Sequence, residues 1–337
     1  MRYLVTGASG MIGMALTERL AEAVGSGNLQ LVVSPKPQHA REAGRLQRLR
    51  AEGHSILAVD LLEDDFPSGE VKPFDVLYHL AAFTHTEQEG PHMRVNDEGT
   101  RRLLEALGPR LRGTKVVYAG SIAAVDRGKP GGGPLDETSP CVPLTQYGQT
   151  KWAGENFVID LAGKYGYEKA SLRLPTVCGK GYRPGGMFDR IKRGLATGSL
   201  EMRLNWPGRI SLAGVSDAVD AFVALARKGN HLSGVFHLGA EESPRFDTVI
   251  DESAHILGLP RRRFSMPPGF WPQLNRAAWA LRNRPLPRPL RIAVWRLSLV
   301  ASDGLVSDPS ALQAATGLAP GDWRRALAQT YSGADQP

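Results

Sequence analysis

Tyr147 and Lys151 lie four residues apart in Tyr147-Gly148-Gln149-Thr150-Lys151, so on a helix their side chains share one face. A tyrosine hydroxyl is a poor proton-transfer group at its ordinary pKa of about 10. A neighbouring ammonium favours the phenolate and lowers that pKa, and a hydroxyl donor stabilises it further. Ser121, closing the run Val117-Tyr118-Ala119-Gly120-Ser121, supplies such a hydroxyl. Together the three can move a proton on or off an oxygen. Tyr147 protonates a carbonyl or deprotonates an alcohol, Ser121 orients that oxygen, and Lys151 tunes the phenol. A Tyr–Lys pair at helical spacing is commonplace by itself, so the case depends on what surrounds it.

The segment Thr6-Gly7-Ala8-Ser9-Gly10-Met11-Ile12-Gly13 joins an apolar run to an amphipathic one. Gly7 permits a tight turn, Gly10 lets backbone approach a pyrophosphate, and Gly13 lets helix pack closely on strand. Met11 and Ile12 open the helix, whose free N–H groups and positive end favour an anion. A nicotinamide dinucleotide fits this pattern, with Lys151 also holding its ribose. Cofactor choice is read at the end of the second strand, where an acidic side chain would accept the ribose hydroxyls of NAD. Here Val33-Ser34-Pro35-Lys36 carries no carboxylate. Ser34 and Lys36, with Arg41 nearby, suit a 2′-phosphate, so the reading is NADP or NAD with a lean to NADP. Asp60, in Val59-Asp60-Leu61, is placed to accept from the adenine amino group. Leu80, Ala81 and Ala82 leave room for the dinucleotide against the backbone, and His79 before them reads as a packed strand-end histidine.

These residues need a scaffold that brings strand ends together. Apolar runs at 3–6, 29–33, 56–59, 76–80, 115–119 and 170–174 read as strands. Helical patterns occupy 11–24, 96–107 and 150–165, the last beginning beside Tyr147 and Lys151. Alternation of this kind implies a parallel sheet covered on both faces. The expected fold is α/β, a Rossmann-type doubly wound parallel sheet with a smaller C-terminal substrate-binding lobe. Residues 1–177, with parts of 210–240, form the dinucleotide-binding domain, and 178–337 mostly the lobe. In the second half, 188–196, 217–226, 246–257, 308–316 and 323–331 read as helices and 235–238 as a strand.

In their order, these segments resemble the extended short-chain dehydrogenase/reductases of the NAD-dependent epimerase/dehydratase group. The likeness is carried by the glycine turn, His79-Leu80-Ala81-Ala82, Val95-Asn96-Asp97-Glu98-Gly99-Thr100 and Gly120-Ser121-Ile122-Ala123. Glu137-Thr138-Ser139-Pro140, Tyr147 to Lys151, Leu172-Arg173-Leu174-Pro175-Thr176-Val177 and the helix entry near Asp217 continue it. The resemblance implies that Ser121, Tyr147 and Lys151 are catalytic. It also implies that Asn96 supports the cofactor site and that Pro175 and Val177 line the nicotinamide pocket; Asn96 equally suits a helix N-cap. Two departures matter. Nucleotide-sugar enzymes of the group often carry Asn where this chain has Pro175-Thr176-Val177-Cys178. Dehydratases place an Asp-Glu pair where Ile122-Ala123 follow Ser121, which disfavours dehydration.

Of the 337 residues, 42% are hydrophobic and 22% charged, enough apolar surface for a sizeable core. The net charge of +7 suits an anionic ligand, but no zinc-finger, RRM or basic-zipper pattern accompanies it, so nucleic acid is not expected. Cys141 and Cys178 lie outside any metal-ligand spacing, so no metal is expected and the thiols read as free in a reducing cytoplasm. No segment has the length of a membrane span. Arg209 reads as a solvated arginine, with an anionic substrate group as the other use. The stretch 261–300 is rich in Pro, Arg and Trp, with helical apolar spacing at Trp271, Leu274, Ala278, Leu281 and again at Leu290, Val294, Leu297, Ala301. It reads first as a helical flap, then as a lid for a bulky apolar substrate, then as a basic surface touching anionic membrane through 270–300. The expected activity is a carbonyl/alcohol oxidoreductase using a bulky small-molecule substrate. A sugar-nucleotide epimerase and a silent cofactor-binding scaffold are the alternatives. A homodimer follows by analogy with the family's paired long helices.

Overall fold

Most of the sheet-forming runs are apolar and the central strands they produce are buried on both faces, as a sheet sandwiched between helices requires, with Gln30, Ser171 and Arg173 as buried polar exceptions. The computed structural model describes residues 1–84, 88–125, 133–227, 231–282, 284–301 and 306–332, excepting the side chains of residues 282, 288, 298 and 299. The first half runs β1 (Tyr3–Thr6), α1 (Met11–Val24), β2 (Leu29–Val33), α2 (Ala40–Ala51), β3 (Ser55–Ala58) and β4 (Val76–His79). It continues through α3 (Glu98–Leu107), β5 (Lys115–Ser121), α4 (Gln146–Tyr165) and β6 (Glu168–Leu174). The second half contains β7 (Thr176–Cys178), α5 (Met187–Ala196), α6 (Leu200–Arg203), β8 (Leu212–Gly214), α7 (Val215–Leu225) and β9 (Gly234–His237). It ends with α8 (Phe246–Leu257), α9 (Phe270–Arg282), α10 (Arg288–Val300), α11 (Ser310–Thr316) and α12 (Trp323–Ser332).

Seven strands form one parallel sheet in the order β3-β2-β1-β4-β5-β6-β9. The order reverses between β1 and β4, and ligands of open α/β sheets bind at such a switch point beyond the carboxyl ends of the strands. In register, Thr6 stands beside Val32 and His79, and Ser121 beside Leu174. One face is packed by α1 and α7 through Leu16, Leu20, Phe222 and Leu225. The other is packed by α3 and α4 through Leu103, Leu107 and Val158. A separate core joins α5, α8 and α12 around Phe188, Val249 and Leu327.

Several boundaries differ from the sequence reading. The crossover helix α2 carries five charged residues in twelve and buries only Leu46 and Leu49, too narrow a stripe for periodicity to register. The two-stranded β7–β8 ladder has three residues per strand, too few for any period. Helix α3 begins at Glu98 with the Asp97 side chain accepting from the Glu98 N–H, so Asp97 and not Asn96 is its cap. Helix α4 starts one turn earlier than 150, because Thr145 accepts from the Gly148 N–H. The stretch after 260 forms the helices that its spacing predicts, α9 and α10 packed against each other. Trp271 meets Trp206 at 4.7 Å between ring centroids. Arg291 of α10 forms an ion pair with Glu89 in the loop after β4, while Leu281 and Leu290 are exposed. The Arg282 and Arg288 side chains lie outside the described residues. Among the described residues no helix is long and apolar enough to cross a membrane.

Helix α4 reaches the sheet edge by virtue of two glycines. A Cβ on Gly148 would overlap the Ala123 carbonyl oxygen, and one on Gly154 the Asn96 carbonyl oxygen. Gly154→Ala is therefore expected to destabilise the fold by about 1–3 kcal/mol, the usual cost of overpacking. Thermal unfolding measures it, and a melting temperature equal to wild type would contradict the close approach.

Candidate active site

Thr6, at the end of β1, begins a chain of hydrogen bonds across the switch point. The Thr6 hydroxyl is 2.6 Å from His79 Nδ1, and His79 Nε2 is 2.9 Å from Thr100 Oγ1. Thr100 donates to the Asn96 carbonyl at 2.8 Å, so its oxygen must accept from Nε2–H. Nδ1 then accepts from Thr6, whose own oxygen accepts from the Ala81 N–H at 3.2 Å. The imidazole is thus neutral with its proton on Nε2. Burial agrees, driving its pKa down to about 3. Asn96 carries the chain onward, its amide pairing with both backbone groups of Phe83 and donating to Thr150 Oγ1 at 3.1 Å. Thr150 donates to the Tyr147 carbonyl at 3.1 Å. The packed-histidine reading of His79 is what the geometry gives, and Asn96 is a strut between the β4 loop and α4.

Ser121, Tyr147 and Lys151 are all buried at this edge, 6%, 8% and 2% exposed. Ser121 Oγ accepts from the Ala123 N–H at 3.2 Å, which leaves its proton free to act toward the neighbouring Tyr147 hydroxyl. The electrostatics differ from expectation. Burial raises the Tyr147 phenol above its ordinary value, and the Ser121 hydroxyl and the positive charge of Arg183 pull it back. Burial also lowers the pKa of Lys151, to about 7, and its Nζ rests 4.0 Å over the Tyr118 ring. Desolvation disfavours any charge in a dry pocket, and it acts on the amine and the phenol alike.

The glycine turn has the shape of an anion cradle. Gly7 takes φ +69, and a Cβ on Gly7 or Gly13 would overlap neighbouring backbone. Helix α1 has no side-chain cap and no acidic residue in its first turn, whereas α3 and α4 are capped by their own flanking side chains. Its first N–H groups beyond Gly10 are therefore available to a pyrophosphate, with Met11 and Ile12 half-buried beside them. These residues fit a dinucleotide.

The remaining predicted contacts are placed as follows. Ser34 Oγ folds onto the Lys36 backbone, at 3.2 Å from its N–H and 3.1 Å from its carbonyl, and leaves the Lys36 side chain exposed. Asp60 lies just past β3, where its Oδ1 accepts from the Leu62 N–H at 2.9 Å, while Leu61 belongs to the core beneath α3. Leu80, Ala81 and Ala82 follow β4 half-buried, and Pro175 and Val177 lead through β7. Arg209 is exposed and donates to the Ser243 carbonyl, in keeping with its solvated reading.

Three arginines escaped the sequence reading or were misplaced by it. Arg41, expected near the ribose, donates from α2 to the Tyr182 carbonyl at 2.6 Å. Arg45 bonds the Ser9 carbonyl in the glycine turn at 2.6 Å and reaches the Gly181 carbonyl at 3.5 Å. Loop 179–186 is thereby drawn across the cradle, and it carries Arg183 toward Tyr147. Only α2, unrecognised as a helix, could have signalled this. Among the described residues no group of three or more His, Cys, Asp or Glu side chains is placed to hold a metal ion.

A Rossmann sheet whose glycine cradle lies beside a Ser–Tyr–Lys edge defines a class of nicotinamide-dependent enzymes. The model of the NAD dependent epimerase/dehydratase family matches residues 3–239. The chain belongs to that family and is an enzyme. An uncharacterized UDP-glucose epimerase of Bacillus subtilis, YtcB, is 27% identical over 77% of this chain and 83% of its own. A probable dTDP-4,6-dihydroxy-2-methyloxan-3-one 4-ketoreductase of Streptomyces antibioticus is 26% identical over 98% and 95%. The crystal structure of UDP-glucuronic acid 4-epimerase from Bacillus cereus, in complex with UDP-glucuronic acid and NAD, superposes with a TM-score of 0.75. It is 21% identical and covers 99% of this chain and 98% of that one, a likeness of fold.

Removing the phenol hydroxyl takes away the group placed to move the proton. Tyr147→Phe should lower kcat by about 10²–10⁴-fold, the usual worth of a positioned acid–base group, with cofactor affinity nearly unchanged. Steady-state rates beside a fluorescence titration with the reduced cofactor check both halves, and undiminished turnover would refute the role.

Proposed function

We propose that this enzyme catalyses reversible oxidation and reduction at a secondary alcohol or ketone carbon of a bulky substrate, a sugar nucleotide being the class its relatives suggest. The observation that carries the reading is the burial of Ser121 and Tyr147 together at the carboxyl edge of the sheet, with Lys151 one turn along α4 and the glycine cradle beside it. When bound, the nicotinamide supplies or accepts the hydride. Tyr147 gives or takes the proton on the substrate oxygen. Ser121 orients that oxygen, and Lys151 holds the cofactor ribose. Gly7, Gly10, Met11, Ile12 and Gly13 hold the pyrophosphate, Asp60 and Leu61 with Leu80 to Ala82 border the adenosine side, and Pro175 and Val177 border the nicotinamide. Residues from 178 onward, with their separate core, serve as the substrate lobe, and α4 with its half-exposed Trp152 pairs two copies in a homodimer.

Dehydration is disfavoured because Ile122 and Ala123 stand directly after Ser121, where that chemistry needs carboxylates. Net reduction is favoured by the ketoreductase relative, which matches nearly end to end. Epimerisation is the second reading, favoured by the epimerases among the relatives and solved neighbours. A panel of UDP- and dTDP-linked sugars and their keto forms, incubated with enzyme and cofactor, separates the two. Net redox changes the nicotinamide absorbance stoichiometrically with product. Epimerisation leaves absorbance flat while NMR shows an inverted ring carbon. Neither change with any member would sink both.

NADP is the proposed cofactor, on the strength of Ser34 and exposed Lys36 where NAD would be met by a carboxylate; the solved neighbours carry NAD. Lys36→Ala should weaken NADPH binding about tenfold, the worth of one charge-assisted hydrogen bond at about 1.5 kcal/mol, and leave NADH unaffected. A wild-type protein that binds NADH more tightly than NADPH would overturn the preference.

A further inference from the structure

Beneath the active-site edge lies a buried ion pair that the proton-transfer mechanism does not use. Glu155, on α4, is 1% exposed. Its carboxylate accepts from Arg173 of β6, Nη2 to Oε1 at 2.6 Å and Nε to both oxygens at 3.2 Å, and from Ser171 Oγ at 2.6 Å. Arg173 also donates to Cys141 Sγ at 3.1 Å and faces His237 at 3.4 Å. The guanidinium and the Ser171 hydroxyl thus fill the lone pairs of this dry carboxylate with charged and aligned donors.

Two features tie the pair to the site. Glu155 follows Lys151 by four residues, so both side chains lie on the inner face of α4; its negative charge opposes the burial that drives the Lys151 amine down. Gly120, the residue before Ser121, rests on the same cluster. A Cβ there would stand 2.7 Å from Ser171 Oγ, 3.1 Å from Glu155 Oε2 and 3.2 Å from Arg173 Cγ. The other groups around Lys151 are the Tyr118 ring of β5, the His79 imidazole of β4 and Tyr147 on α4 itself, all neutral. Asp97, at the start of α3, acts on Tyr118, and Arg173 stands behind Glu155. Glu155 is the anion that acts on the amine.

We propose that Glu155 is a positioning residue for this active site: held by Arg173 and Ser171, it favours the ammonium form of Lys151 and fixes the strand end that carries Ser121. The proposal rests on the functional reading above only in taking Lys151 as the cation of the site. A fixed anion in low dielectric acts far more strongly on a neighbour than one in water, so a single carboxylate can offset the drying of the pocket without entering it.

The test follows the Lys151 side chain directly, by NMR of the free protein labelled at lysine Cε, with its signal assigned by its loss in Lys151→Met. Glu155→Gln, nearly isosteric, should lower the Lys151 titration midpoint by roughly one pH unit, tenfold in proton affinity. Arg173→Met strips the buried carboxylate of its charged donor, so it takes up a proton and the Lys151 midpoint should fall as well. General loosening of the site would let water in and raise the midpoint in both variants. An unchanged or raised midpoint in Glu155→Gln therefore overturns the proposal. Circular dichroism establishes that each variant is folded, and if one is not, the sign of the other decides. The titration needs no cofactor and no substrate, so its outcome is separate from whether a sugar nucleotide is turned over.

Discussion

His79 joins β1 to α3 as a neutral imidazole, the form that full burial imposes. Thr100 has spent its proton on a carbonyl and accepts from Nε2–H, which leaves Nδ1 to accept from Thr6. From this one restriction the site is assembled outward: Thr6 fixes the start of the glycine turn, Asn96 fixes the loop after β4, and Thr150 fixes the backbone of Tyr147. The parallel sheet brings the strand ends to one edge, and this chain sets their relative positions there.

A dry edge suits proton transfer in geometry and opposes it in charge. The same exclusion of water that preorganises the Ser121–Tyr147 pair raises the phenol and lowers the amine. Positive charge from Arg183 offsets the first effect, and negative charge from Glu155 offsets the second. Arg183 arrives on loop 179–186, held over the cradle by Arg41 and Arg45. Electrostatic tuning of the site is therefore distributed between the sheet, which supplies Arg173 for Glu155, and a loop of the second half.

Much of the sheet was legible in the sequence because its signals are local. Buried parallel strands are short apolar runs closed by turn residues, and β1, α1 and β2 have the bounds that the runs predict. The glycine turn and the Tyr147–Lys151 spacing are local too. What was missed is long-range or thinly patterned. Helix α2 shows solvent an arginine-rich surface and buries two leucines, so its role in holding loop 179–186 was invisible. The Glu155–Arg173 pair joins residues 18 apart in sequence, each unremarkable alone. Nor does spacing carry information about how dry a pocket is, and that dryness raises the phenol and lowers the amine.

The inner face of α4 has one more consequence, for how this protein can be altered. At positions 148 and 154 the helix axis lies so close to neighbouring carbonyls that hydrogen is the largest substituent that fits. A mutagenesis library directed at new substrates thus meets very uneven freedom. Outward positions such as Trp152 accept wide variation, whereas Gly148 and Gly154 have no room for even a methyl group. Diversity introduced along this helix would be filtered by folding before selection for activity could act on it.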